Sequence, residues 1–155
     1  MTRIMSFFAG ALTVGAVVGV LALTGALDLN GDERFQLLRR ELGVGAFGLN
    51  LLRLRPGQRG RIHRHARQEE VYVVLEGRLS LGVEGEEREL DRGAVARIAP
   101  SVRRQLTNRG SELLVVLAIG GAEPHEGRDG LAFSAWDDPE GRPPQEVPLP
   151  DDVEA

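Results

Sequence analysis

The chain contains no cysteine, which removes disulfide frameworks, thiolate metal sites and cysteine nucleophiles in any compartment. Lysine is missing too. All 19 basic residues are arginine, so Schiff-base chemistry and lysine nucleophiles are excluded. Aromatics are few, with one Trp, one Tyr and five Phe, and the arginines are interspersed with acids. Without a basic stripe or bases-stacking aromatics, nucleic acid is not an expected partner. There is no G-x-S-x-G elbow, P-loop or dinucleotide fingerprint, and no repeat at a solenoid period.

Glycine, by contrast, is abundant, at 20 of 155 residues. That favours many tight turns over a helical bundle. The length suits one domain able to bury a core without staples. The net charge of −4 is unevenly placed. Residues 137–155 hold seven acids and one Arg, a sum of −6, so the remainder carries +2.

Three regions follow from this patterning. Residues 1–29 form a hydrophobic N-terminal segment, in which Ile4 to Leu27 is 24 residues without a charge. As a helix it would reach about 36 Å, enough to cross a bilayer core of roughly 30 Å. The expectation is a membrane anchor, with Gly15-x3-Gly19 allowing close helix approach and Arg34, Arg39 and Arg40 favouring a cytoplasmic barrel. The alternative is a signal cleaved near Thr24-Gly25-Ala26, which would release a secreted protein.

Residues 30–136 read as a barrel domain. A lead-in at 32–42 has apolar residues at 35, 38 and 42 and stops at Gly43, as a short helix would. The period then becomes two. Strands are predicted over 49–55, 61–65, 70–75, 79–83, 87–90, 94–98, 103–107 and 113–119, separated by turns such as Pro56-Gly57, Glu84-Gly85 and Asn108-Arg109-Gly110. So many short strands without helix-length connections indicate an all-β barrel or sandwich. Leu131-Ala132-Phe133 and Trp136 are candidates to cap an open end. Residues 137–155, with five prolines and seven acids, are expected to be a disordered tail.

One cluster carries chemistry. Residues two apart on a strand share a face, so His63 and His65 present both imidazoles to one side. A tight turn through residues 66–69 would bring the Glu70 carboxylate to the same point. Two imidazoles and a carboxylate form a set that holds a divalent transition metal such as Fe, Mn, Ni or Zn with positions left open. Tyr72 shares the face of Glu70 and is a candidate ligand contact, while Glu69 should point to solvent.

Here the chain resembles the cupin superfamily. Gly57-x5-His63-x-His65-x4-Glu70-x6-Gly77 matches the first cupin motif at every defined position. Against the second motif, G-x5-P-x-G-x2-H-x3-N, the chain has Gly93-x5-Ala99-x-Ser101-x2-Arg104-x3-Asn108. The resemblance implies a cupin jelly-roll β-barrel with His63, His65 and Glu70 as metal ligands at its mouth. Arg104 stands where the family places a fourth ligand. A guanidinium about 5 Å from a divalent ion would repel it by roughly 6 to 7 kcal/mol at an effective dielectric near 20.

Three arrangements satisfy Arg104. It pairs with Glu70 in a bidentate salt bridge, turns aside to leave a three-ligand metal, or stands beside that metal and binds the carboxylate or phosphate of a ligand. His125, the only other histidine, is a candidate to complete the site. The functional expectation is a small-molecule binding or sensing cupin with a degenerate metal-type site. The alternative is a metal-dependent enzyme, a dioxygenase or isomerase, with no catalytic residue assigned. The resemblance also implies a homodimer through barrel faces.

Overall fold

A computed structural model describes residues 13–17, 20–122 and 129–153. Its elements are β1 (Thr13–Val17), β2 (Val20–Thr24), β3 (Phe35–Gln36), α1 (Leu38–Glu41), β4 (Gly48–Leu54), β5 (Ile62–His65), β6 (Glu69–Glu76), β7 (Arg78–Val83), β8 (Glu86–Asp91), β9 (Val95–Ile98), β10 (Arg104–Thr107), β11 (Leu114–Gly121) and β12 (Gly130–Phe133). Every strand pair is antiparallel. One five-stranded sheet runs β12-β5-β10-β7-β8, and the other runs β3-β4-β11-β6-β9.

The two sheets share a core of Leu54, Tyr72, Val74, Leu79, Leu81, Ile98, Leu106, Leu114, Val116 and Ala118. Strands β4 and β11 are apolar on both faces because Leu38, Leu51 and Val115 form a second cluster on the outer side. That is why Leu113 to Ile119 reads as a nearly continuous apolar run instead of alternating.

Two motif glycines are fixed by backbone geometry. Gly57 and Gly77 have φ of +80° and +74°. A Cβ on Gly77 would lie 2.6 Å from the carbonyl oxygen of Leu113, and one on Gly57 would lie 2.5 Å from that of Val153. Only glycine meets both demands.

The expected N-terminal membrane helix is not what the structure shows. β1 and β2 pair antiparallel, from Thr13 with Thr24 to Val17 with Val20. Among the described residues no helix is long and apolar enough to cross a membrane, so the membrane-anchored localisation is overturned. The physical reason lies in the sequence: Thr13, Val14, Val17 and Val20 are β-branched, a type with lowered helix propensity and raised strand propensity. Gly15 costs a helix about 1 kcal/mol relative to Ala. The lead-in helix is also shorter than expected, a single four-residue turn after β3.

The acidic tail differs from expectation as well. Residues 137–153 run back along the barrel instead of remaining disordered. Arg142 exchanges two main-chain hydrogen bonds with Ala132, and the Val153 N–H donates to the Gly57 carbonyl. Arg59 and Arg61 donate to the carbonyls of Asp151 and Val147, and the Val147 side chain is buried. Proline lowers the entropy lost on ordering, and the arginines supply donors that composition alone does not reveal.

Candidate functional site

His63 and His65 lie on β5 and Glu70 lies on β6, in the two different sheets. The β5–β6 turn that joins them is clipped by Asp129. Its carboxylate accepts the main-chain N–H groups of Arg67 and Gln68, both at 2.9 Å, and the Gln68 side-chain amide. Its Oδ1 also lies 2.7 Å from Nδ1 of His65. One carboxylate thus shapes the turn and orients an imidazole.

The second imidazole is fixed similarly, with His63 Nδ1 lying 3.0 Å from the Arg61 carbonyl oxygen. Both partners are acceptors, so each Nδ1 carries a proton and each Nε2 faces Glu70. His63 Nε2 lies 3.5 Å from Glu70 Oε2, and His65 Nε2 lies 3.4 Å from Glu70 Oε1. One ligand atom from each of the three residues falls within a span of 4.8 Å.

Glu70 has further partners. Arg104 Nη2 and Nε donate to its Oε2 at 2.7 and 3.1 Å, and the Tyr72 hydroxyl donates to the same oxygen. Arg104 Nη1 donates to the Val102 carbonyl at 2.9 Å. The pairing is therefore one-oxygen, not the two-oxygen fork expected, and Oε1 remains the oxygen open to a further group. Arg104 is fully buried and is absent from the residues lining the cavity. The ligand-binding role expected of Arg104 does not fit this placement; its guanidinium holds Glu70. Tyr72 does line the cavity, but its hydroxyl is committed to the carboxylate.

The electrostatics agree with the geometry. Burial alone would favour a neutral Glu70, but the imidazoles of His63 and His65 and the Arg104 charge outweigh it and hold the carboxyl well below its usual range. For His65, burial opposes the charged form, yet Glu70 and Asp129 raise its pKa above the ordinary value. Burial and the neighbouring Glu70 charge push the Tyr72 phenol well up, so it stays a neutral donor. Glu69 points away and pairs with exposed Arg97, as strand alternation requires.

Asp129 was not found by the sequence pattern, because it lies far along the chain and outside any spacing motif. Its only signal is position, one residue before β12. Burial raises its pKa, but the Arg67 and Gln68 N–H groups, with Gln68 and His65, lower it to about 2. Its stabilising contribution is thus present above the ordinary carboxylate value and lost as pH falls from about 4 through about 2. Asp129→Asn is expected to be less stable than the parent at pH 7, with the gap narrowing across that window; urea unfolding at pH 7, 4 and 2.5 reads it. A gap constant with pH contradicts the role. His125 lies outside the described residues.

Beside the trio is a cavity of about 210 Å³, walled by apolar side chains including Leu52, Leu54, Leu106, Ala118 and Leu149. His63, His65 and Glu70 supply its polar end. The molecule is thus an antiparallel jelly roll with a two-histidine, one-carboxylate cluster beside an apolar pocket. The family model described as a cupin domain matches residues 50–120, and the described barrel has the cupin fold.

Solved structures agree on the fold. A cupin protein from Bacteroides fragilis is 23% identical with a TM-score of 0.59, covering 68% of this chain and 89% of that one. A sugar phosphate isomerase of the cupin superfamily from Silicibacter pomeroyi is 25% identical with a TM-score of 0.58, covering 75% and 79%. A Cupin 2 conserved barrel domain protein from Salinispora arenicola is 27% identical with a TM-score of 0.52, covering 62% and 81%. No curated protein matches the sequence.

Proposed function

We propose that this cupin binds a small, mostly apolar molecule in the barrel cavity, with a polar group of that molecule held at His63, His65 and Glu70. The observation that carries this reading is the cavity itself: mainly apolar walls with a few polar groups, among them His63, His65 and Glu70, is the usual form of a small-molecule site. The volume exceeds the roughly 150 Å³ of engineered cavities that take benzene.

The three donors also fit a divalent transition metal. Donors about 2.1 Å from one ion at a tetrahedral angle stand about 3.4 Å apart, matching the 3.4 Å between His65 Nε2 and Glu70 Oε1. His63 Nε2, His65 Nε2 and Glu70 Oε1 would hold such an ion, with Asp129 and the Arg61 carbonyl orienting the imidazoles. When bound, it would polarise an oxygen of the ligand. Arg104 weakens that site by drawing on the charge of Glu70 and by adding its own positive field.

A metal-dependent isomerase is the second reading, favoured by the likeness to the Silicibacter pomeroyi protein. The apolar walls suit a phosphorylated sugar poorly, which places binding ahead of it.

The test uses hexanol, a neutral probe with an apolar body and one hydroxyl. Full-length protein should bind it saturably in calorimetric titration, and Ala118→Phe, which fills the cavity from β11, should abolish that binding while unfolding stays cooperative. Absence of saturable binding, or equal binding by Ala118→Phe, would count against the reading.

A further inference from the structure

Arg34 immediately precedes β3, and its carbonyl accepts the N–H of Arg53 at 2.8 Å, extending the β3–β4 ladder by one residue. It lines the cavity beside Phe35 and Leu52. Its Nη1 is buried with no hydrogen-bond partner, the one such side-chain atom among the described residues. Buried polar groups in native proteins are nearly always satisfied, and an orphaned guanidinium N–H is costly to leave so.

The neighbouring charges do not supply the missing partner. Asp32 pairs with Arg55. Neither the Asp28 nor the Glu33 carboxylate forms an ion pair with Arg34 among the described residues. The other arginines near the cavity are engaged, Arg61 with the Val147 carbonyl and Arg104 with Glu70 and Val102. Arg34 therefore brings an uncompensated positive charge to a cavity whose walls are otherwise mainly apolar.

We infer that Arg34 anchors the anionic group of the ligand, which makes the bound class a small monocarboxylate with an apolar body. One guanidinium in apolar surroundings suits a single planar charge; a phosphate dianion would leave charge unpaired in a poorly solvated site. In the sheet order, β3 and the Glu70-bearing β6 are separated by β4 and β11, three strand spacings or about 14 Å. The carboxylate and the polar end near the imidazoles thus address different parts of the wall, and the apolar body spans the leucines between them.

This inference rests on the cavity-binding reading, so the test separates the two. Calorimetric titrations of the full chain with hexanoate and hexanol compare charged and neutral probes of equal chain length. Hexanoate is expected to bind at least about tenfold more tightly than hexanol, the scale of one charge-assisted hydrogen-bonded contact. Arg34→Gln should erase that preference by weakening hexanoate about tenfold more than hexanol, while Arg34→Lys should retain part of it. Hexanol binding with no hexanoate preference, or Arg34→Gln weakening both probes equally, overturns the anchoring role and leaves the cavity reading intact. Failure of both probes to bind overturns both.

Discussion

Replacing Arg104 with methionine is expected to destabilise the protein by about 3 to 5 kcal/mol, the usual cost of removing one partner from a buried ion pair. Methionine approximates the apolar stem, so the loss isolates the guanidinium. Glu70 would keep the Tyr72 hydroxyl and the two imidazoles but lose two donors on Oε2. Glu70→Gln should be costly for the converse reason, since it leaves a fully buried Arg104 without its counter-charge. The double substitution Arg104→Met with Glu70→Gln should cost clearly less than the sum of the two, because no unpaired charge remains. Urea unfolding at pH 7 measures all three; an Arg104→Met cost below about 1 kcal/mol would show that the pair is not a principal support of the barrel.

The second large effect is a gain. Arg104→His is expected to raise affinity for zinc, manganese, iron or nickel by about a hundredfold or more. Arg104 and His63 are directly paired across β10 and β5, and side chains so placed have Cβ atoms roughly 5 Å apart. An imidazole at 104 would stand beside that of His63 as a fourth donor, and the guanidinium that competes for Glu70 would be gone. Titration against a chelator of known affinity reads the change. Unaltered metal affinity would mean that the strand pairing does not bring position 104 to the trio.

Much of this site was legible in the chain because strand geometry is strict. The i, i+2 spacing of His63 and His65 places two imidazoles on one face in any well-formed strand, and the turn residues between apolar runs set most strand ends within a residue or two. Glu70 was readable from its place at the start of the next strand. The ion pair with Arg104 was one of three arrangements the sequence left open, since choosing among them required the direction of a long, flexible side chain.

Asp129 was invisible for a different reason: it acts through a contact 64 residues from His65, and no local pattern encodes that distance. The N-terminal segment misled because hydropathy counts apolar residues without weighing shape, and valine, threonine and glycine favour a hairpin. The tail misled because its own composition lacks a core, whereas its order is supplied by Arg59 and Arg61 on the barrel.

Arg104 serves as the internal counter-ion of Glu70, and that role leaves the carboxylate less able to hold a metal. Elemental analysis of the full-length protein, purified without a histidine tag, addresses this most directly. Less than one equivalent of transition metal per chain is predicted. A full equivalent that His63→Ala removes would contradict it.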